Sequence, residues 1–307
     1  MGILGGRSVR NQPLGPLTTY RVGGPAAVFL ELQTSADLDA VHHCASDSGL
    51  PILIVGSGSN LLIADEGFPG IVVCLGEDYR EIVCGGSGLD GGTIIQAGGA
   101  THLPILARRC AAAGIGGLEW AVGIPGSVGG GVAMNAGGHG GDISKVLFKA
   151  EIYDFATAQS LELGVEELTL GYRSSVLRTN QIVLGASFTG FAIDPDVSRA
   201  RISGIVTWRR QHQPGGANAG SVFMNPVGDS AGRLVEAVGC KGFRIRSAQV
   251  SPLHANFIQA DKGGSAADIV AVISEVRNRV AEATGIELQL ECRIVGGAFT
   301  RLSQWVR

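Results

Sequence analysis

Three short segments carry residue types that could share one reaction. Asn218-Ala-Gly-Ser221-Val-Phe-Met-Asn225-Pro226 sets a serine among small residues, with an asparagine further on and a proline that stops the run. Small neighbours let a ligand come close to the backbone and to the hydroxyl. Leu170-Gly-Tyr172-Arg173-Ser-Ser175 places an arginine beside an aromatic ring and two serines, between apolar stretches. A guanidinium so placed grips a carboxylate or phosphate through paired hydrogen bonds. Leu288-Gln-Leu-Glu291-Cys-Arg293 adds a carboxyl group. Serine, arginine and glutamate together suit a reaction that makes an anion and then protonates it. Read from its own segment, however, Glu291 alternates with Leu288 and Leu290 and is an exposed strand residue. His254, isolated in Ser251-Pro-Leu-His-Ala-Asn256, reads as structural.

Two glycine loops suggest a phosphorylated ligand. Gly56-Ser-Gly-Ser-Asn60 follows an apolar run and offers two hydroxyls and several free backbone N–H groups, which can converge on a diphosphate. It lacks the dinucleotide fingerprint GxGxxG with an acid further on, and alone it is as well explained by an ordinary turn. Gly123-Ile-Pro-Gly-Ser-Val-Gly-Gly-Gly131 is the second loop. Two such loops in one region favour a large phosphorylated ligand.

These segments need elements to hold them. Ala26 to Leu32, Pro51 to Val55 and Gly70 to Leu75 read as strands, with Ile94 to Ala97 as one more. Thr34-Ser-Ala-Asp37 resembles a capping box and opens a helix carrying Leu38, Val41 and Ala45 inward. Leu103 to Ala113, with Pro104 near its start, reads as a helix. The passage from Gly114 to Gly141 is too long for an idle loop, and its scattered apolar residues argue against disorder. Asp194-Pro195-Asp196 is a breaker and a candidate boundary. Beyond it, Ser265 caps a helix whose Ile269, Val272, Ile273, Val276 and Val280 form one stripe, and Glu287 to Val295 closes the chain as a strand.

Composition bounds the possibilities. The chain has 307 residues, 45% of them hydrophobic, enough for two or three domains. Charged residues are 17% and the net charge is −3, which points to no nucleic-acid partner and no anionic membrane. No apolar run is long enough to span a bilayer. Glycine, at 48 residues, is roughly double its ordinary share, as expected where backbone packs against a bulky cofactor. The six cysteines show no metal-binding spacing and no secreted disulfide framework, so no metal is expected. Met1 to Arg7 lacks a signal-peptide core, so the cytoplasm is the expectation.

Taken together the segments resemble the UDP-N-acetylenolpyruvoylglucosamine reductase family. The likeness begins at Pro16-Leu-Thr-Thr-Tyr-Arg-Val-Gly-Gly-Pro25 and runs through Gly56 to Leu61, Gly117 to Gly126 and Met134-Asn-Ala-Gly137. It continues through Gly171 to Val176, Ala219 to Pro226, Lys241-Gly-Phe-Arg-Ile245 and Ala248 to Ser251, and ends at Leu288 to Arg293.

That resemblance implies an α+β fold: two FAD-binding subdomains of the vanillyl-alcohol-oxidase (PCMH) type in residues 1–193, and a C-terminal substrate domain in residues 194–307. It implies noncovalent FAD, NADPH as hydride donor and the enolpyruvyl ether of UDP-N-acetylglucosamine as substrate. A monomer is expected. Cofactor contacts are implied at Gly56, Ser57, Gly58, Ser59, Asn60 and Leu61, and at Ile124, Pro125, Gly126, Ser127, Val128, Gly129 and Asn135. Arg173 matches the family's enolate-stabilising arginine, Glu291 its glutamate and Ser221 its proton donor. Tyr172, Asn225, Lys241 and His254 are the implied substrate contacts. Two departures stand out. The usual Leu-Glu-x-Glu reads Leu288-Gln-Leu-Glu291, and the short interval from Arg173 to Ser221 places the chain with a compact subgroup lacking a tyrosine-bearing loop. A related alcohol or sugar oxidase would not need the Arg173, Ser221 and Glu291 set, and a silent nucleotide-binding module would be free to lose it.

Overall fold

The computed structural model describes residues 7–87 and 92–297. It divides into two units that interleave along the chain: Met1–Val9, Val28–Ser57 and Gly70–Arg209 form the first, and Arg10–Ala27, Gly58–Pro69 and Arg210–Arg307 the second. The breaker at Asp194-Pro195-Asp196 does not mark the change of unit. Pro195 instead opens a helix, Pro195–His212, where its missing N–H costs nothing because no acceptor precedes it in the turn.

The first unit is built on antiparallel strands. Their order is Gln159–Gly164, Leu147–Asp154, Gln181–Ala192, Thr93–Gly98, Ile82–Ser87, with Ile115–Gly116 pairing the far end of Gln181–Ala192. Ala150 faces Ala186 and Ala186 faces Ala97 across the centre. Small residues there let the helix Leu103–Ala112 and the Gly114–Gly141 passage pack on the sheet, burying Leu103, Leu106, Val128, Val132 and Phe188. A second core surrounds the parallel pair of Ile52–Ile54 and Phe68–Leu75, beside the helix Ser35–Ser48. Asp37 starts that helix as the capping pattern predicts, accepting the N–H groups of Gln33 and Thr34 at 2.9 Å each. The Gly114–Gly141 passage is ordered: it holds a 3-10 turn at Glu119–Gly123 and a short helix at Val128–Ala133.

The second unit wraps the helix Ala266–Thr284. Ser265 Oγ accepts the Asp268 N–H at 3.1 Å, and Gly285 ends the helix with φ 71°. Its predicted stripe of Ile269, Val272, Ile273, Val276 and Val280 is buried against Phe223, Leu234 and Val250. The three-stranded sheet Arg244–Ile245, Ala248–Val250, Ile258–Ala260 lies in the same core. The closing strand is shorter than its alternation suggests. Only Arg293–Val295 is regular, pairing in parallel with Leu61–Ile63. Before it, Leu290 bridges Phe223. The segment changes partner between Leu290 and Arg293, which breaks a single ladder into two.

Candidate functional site

In the first unit the two glycine loops meet. A Cβ on Gly56 would lie 2.5 Å from Ser127 Oγ, so the two loops approach closely and any side chain at Gly56 would displace the Ser127 hydroxyl. Ser57 Oγ is hydrogen-bonded to His102 Nδ1 at 3.1 Å. The Thr101–His102 backbone is zipped to the second loop: Leu103 N–H donates to Gly126 O at 2.9 Å and Val128 N–H to Thr101 O at 2.8 Å. Ser127 caps the short helix by accepting the Gly130 N–H at 3.3 Å. Gly129 N–H donates to Gly99 O at 2.9 Å. The N–H groups of Gly56, Ser57, Gly126 and Ser127 find no acceptor among the described residues. Thr101 Oγ1, at the same place, is buried without a hydrogen-bond partner. Backbone donors without a protein acceptor on a glycine-lined cradle fit the diphosphate of a flavin dinucleotide.

Ile124 is half-buried, Pro125 exposed and Val128 buried within the same loop. Gly58, Asn60, Leu61 and Asn135, also predicted at the flavin, make contacts within the protein itself. Gly58 has φ +59°, and a Cβ there would lie 2.0 Å from Leu17 O, so its glycine is demanded by the protein's own backbone. Leu61 is buried in the second unit's core region and pairs with Arg293. Asn60 Nδ2 donates to Glu291 O at 3.1 Å, and Asn60 O accepts the Arg293 N–H at 2.9 Å. Asn135, also buried, donates from Nδ2 to Gly171 O at 2.8 Å and accepts the Ser144 N–H on Oδ1 at 3.0 Å. Both ends of its amide are committed to protein, so it holds the turn that carries Arg173.

Arg173 sits at φ +54°, a conformation few residues other than glycine adopt. The turn is closed by Gly171 N–H to Ser174 O at 3.0 Å. Ser175 Oγ ties it down by donating to Ala133 O at 2.7 Å. Arg173 Nη2 donates to Gly137 O at 2.9 Å, and its guanidinium stacks 5.3 Å from the centre of the exposed Tyr172 ring. Arg173, Tyr172, Lys145 and Asn135 line a cavity of about 520 Å³ in this unit. The turn and these contacts anchor Arg173 at the edge of that cavity.

In the second unit the structure brings Ser221 and Glu291 onto neighbouring strands of backbone. Glu291 N–H donates to Val222 O at 2.8 Å, and Met224 N–H to Gln289 O at 2.9 Å. Gly220, at φ +74°, delivers the chain into Ser221, and Asn218 Oδ1 braces it by accepting the Gly220 N–H at 3.0 Å. Leu290 and Cys292 are buried while Glu291 between them is partly exposed. The alternation of burial read from sequence therefore holds across Leu290, Glu291 and Cys292.

The substrate candidates of this unit are bound locally. Asn225 Oδ1 accepts the Ala231 N–H at 3.0 Å at the start of the helix Ala231–Ala237. Lys241 pairs with Glu236 at 3.1 Å. His254 accepts the Asn256 N–H on Nδ1 at 3.2 Å and packs 4.8 Å from Phe257; burial pushes its pKa down. One residue that sequence reasoning passes over is Asn256, 4% exposed, bonded to Phe223 through both amide atoms. An amide inside the apolar run Ala255 to Ile258 is the available signal. Among the described residues no group of His, Cys, Asp or Glu could hold a metal ion, and no helix is long and apolar enough to cross a membrane.

Residues 26–164 match the family described as FAD binding domain. With the glycine cradle, they define an FAD-dependent oxidoreductase. Residues 211–295 match the C-terminal domain of UDP-N-acetylenolpyruvoylglucosamine reductase. Reductases of that name from Synechococcus sp. (strain RCC307) and Chloroflexus aggregans are 44% and 40% identical to the chain, covering 94% and 93% of it and 93% and 96% of their own lengths. The crystal structure of the Thermus caldophilus reductase superposes with a TM-score of 0.79 at 32% identity, covering 94% of this chain and 98% of its own. The chain belongs to the UDP-N-acetylenolpyruvoylglucosamine reductase family.

Proposed function

We propose that the chain reduces the enolpyruvyl ether of UDP-N-acetylglucosamine to UDP-N-acetylmuramate, a peptidoglycan precursor, at the expense of NADPH. FAD, which the Gly56–Ser57 and Gly126–Ser127 cradle would hold, would supply the hydride that originates on NADPH and is added to the terminal vinyl carbon of the substrate. The protein's own residues manage the resulting charge and the proton that quenches it. Hydride addition leaves negative charge beside the substrate carboxylate, spread as an enolate. Arg173 binds the carboxylate and holds that charge, the largest kind of catalytic contribution when the donor is preorganised. Glu291 shares the proton of its carboxyl with the growing anion. Ser221 gives its hydroxyl proton to the carbon next to the carboxylate. A serine is a weak acid, so it serves only when held close to that carbon.

The observation that carries this reading is the hydrogen bond from Glu291 N–H to Val222 O, which couples the proton donor's segment to the acid's segment. Tyr172, Asn225, Lys241 and His254 are assigned to the sugar nucleotide. Residues 1–193 are assigned to the flavin and 194–307 to the substrate, in a monomer working in the cytoplasm. The test is consumption of NADPH by the purified yellow protein with and without the enolpyruvyl ether, with the product identified by mass. Consumption that ignores the ether and draws on oxygen would make the chain an oxidase instead.

A further inference from the structure

We propose that Asn256 is the positioning residue for the proton donor: its buried amide fixes the segment that presents Ser221, and through that segment the backbone of Glu291. The inference rests on the assignment of Ser221 as donor. Three hydrogen bonds support it. Val222 N–H donates to Asn256 O at 2.9 Å. Phe223 N–H donates to Asn256 Oδ1 at 2.9 Å, and Asn256 Nδ2 donates to Phe223 O at 2.8 Å. The side chain thus acts as a piece of β-strand beside Phe223. It leaves no polar atom of its amide unpaired in a site that is 4% exposed.

The arrangement gives Asn256 a reach beyond simple packing. Val222 comes directly after Ser221, and its carbonyl accepts the Glu291 N–H at 2.8 Å. The 221–224 segment is therefore held on one side by Asn256 and on the other by Gln289 to Glu291. On the N-terminal side of Ser221, Gly220 at φ +74° is held by its N–H donating to Asn218 Oδ1 at 3.0 Å, with no side chain of its own to pack. On the far side of Ser221 the buried Asn256 amide fixes Phe223 at both its N–H and its carbonyl. A weak acid needs such fixing, because a displacement of about 1 Å costs roughly a hundredfold in rate.

The test compares wild type, N256D, S221A and the double variant. The aspartate is isosteric, keeps the acceptor for Phe223 N–H and loses the donor to Phe223 O. Each protein is reduced with NADPH without oxygen and then mixed with the enolpyruvyl ether of UDP-N-acetylglucosamine. N256D should keep its flavin, its rate of reduction by NADPH and its affinity for the ether. Its flavin reoxidation should slow about ten- to a hundredfold, and adding N256D to S221A should change nothing more. Wild-type reoxidation in N256D, or equal further slowing in the S221A background, would overturn the inference. Wild-type reoxidation in S221A would instead retire Ser221 as the donor. Should N256D not fold, hydrogen exchange on the wild type decides: the Val222 and Phe223 amides should be among the slowest in residues 211–295, and fast exchange at both would overturn the proposal.

Discussion

At the scale of the residue, catalysis turns on how a few polar groups are presented. Ser221→Ala should bind FAD and be reduced by NADPH at the normal rate, because neither step uses the serine proton. Reoxidation by the ether should slow by about 10²- to 10⁴-fold, as for a positioned general acid. Ser221→Cys should recover part of that loss, since a thiol donates from nearly the same place; a near-normal alanine variant would leave the serine with only a turn to shape. Arg173→Ala should slow reoxidation far more than reduction, and equal falls in both half-reactions would assign it to nucleotide binding or to structure. Asn135→Ala should resemble Arg173→Ala more than a flavin-binding defect, because its amide is spent on Gly171 O and Ser144 N–H. Loss of flavin affinity as the main effect of that substitution would return Asn135 to the cofactor.

At the scale of the element, short-range backbone demands explain residues that function alone does not. Gly58 must be glycine to clear the Leu17 carbonyl, whether or not a ligand is bound. Gly58→Val should therefore lower thermal stability measured on flavin-free protein, and an unchanged melting temperature would show that the loop yields. Ile273, fully buried on the helix Ala266–Thr284, should cost about 2–5 kcal/mol on replacement by alanine, read from denaturant unfolding. Asp154 closes the strand Leu147–Asp154, where it accepts from Ala156 N–H at 2.9 Å, Asn180 Nδ2 at 2.9 Å, Gln181 Nε2 at 3.0 Å and the Arg178 guanidinium. Burial alone would raise its pKa, but these donors and the cation hold it below the usual carboxylate value. A carboxyl depressed in the folded state adds stability above its unfolded pKa of about 3.9 and loses it as pH falls. The stability gap between wild type and Asp154→Asn should thus be widest near neutral pH and close below about pH 4. A gap that is constant with pH would mean the carboxylate charge contributes nothing.

At the scale of the whole molecule, the sequence is informative where local rules govern. The Thr34–Asp37 start, the Ser265 cap and the apolar stripe of Ala266–Thr284 are legible because each depends on residues within a turn or two. The strand Pro25–Leu32 is legible from its apolar run. The interleaving of the two units is not. Segments 10–27 and 58–69 join the C-terminal unit through long-range packing such as that of Tyr20 and Leu62 in one core, which no short window reveals. The family resemblance supplies Arg173, Ser221 and Glu291, whereas residue types alone leave Glu291 an exposed strand position. The asparagines show the limit most clearly. The resemblance implies flavin contacts at Asn60 and Asn135, and it does not reveal that their amides also hydrogen-bond Glu291 O and Gly171 O. The most direct test of the central claim is a single-turnover measurement without oxygen. The protein is reduced with one equivalent of NADPH and mixed with the enolpyruvyl ether in heavy water. The flavin colour should return and the product should be UDP-N-acetylmuramate carrying deuterium at the carbon beside the carboxylate. A flavin that stays bleached until oxygen is admitted would contradict the proposed reaction.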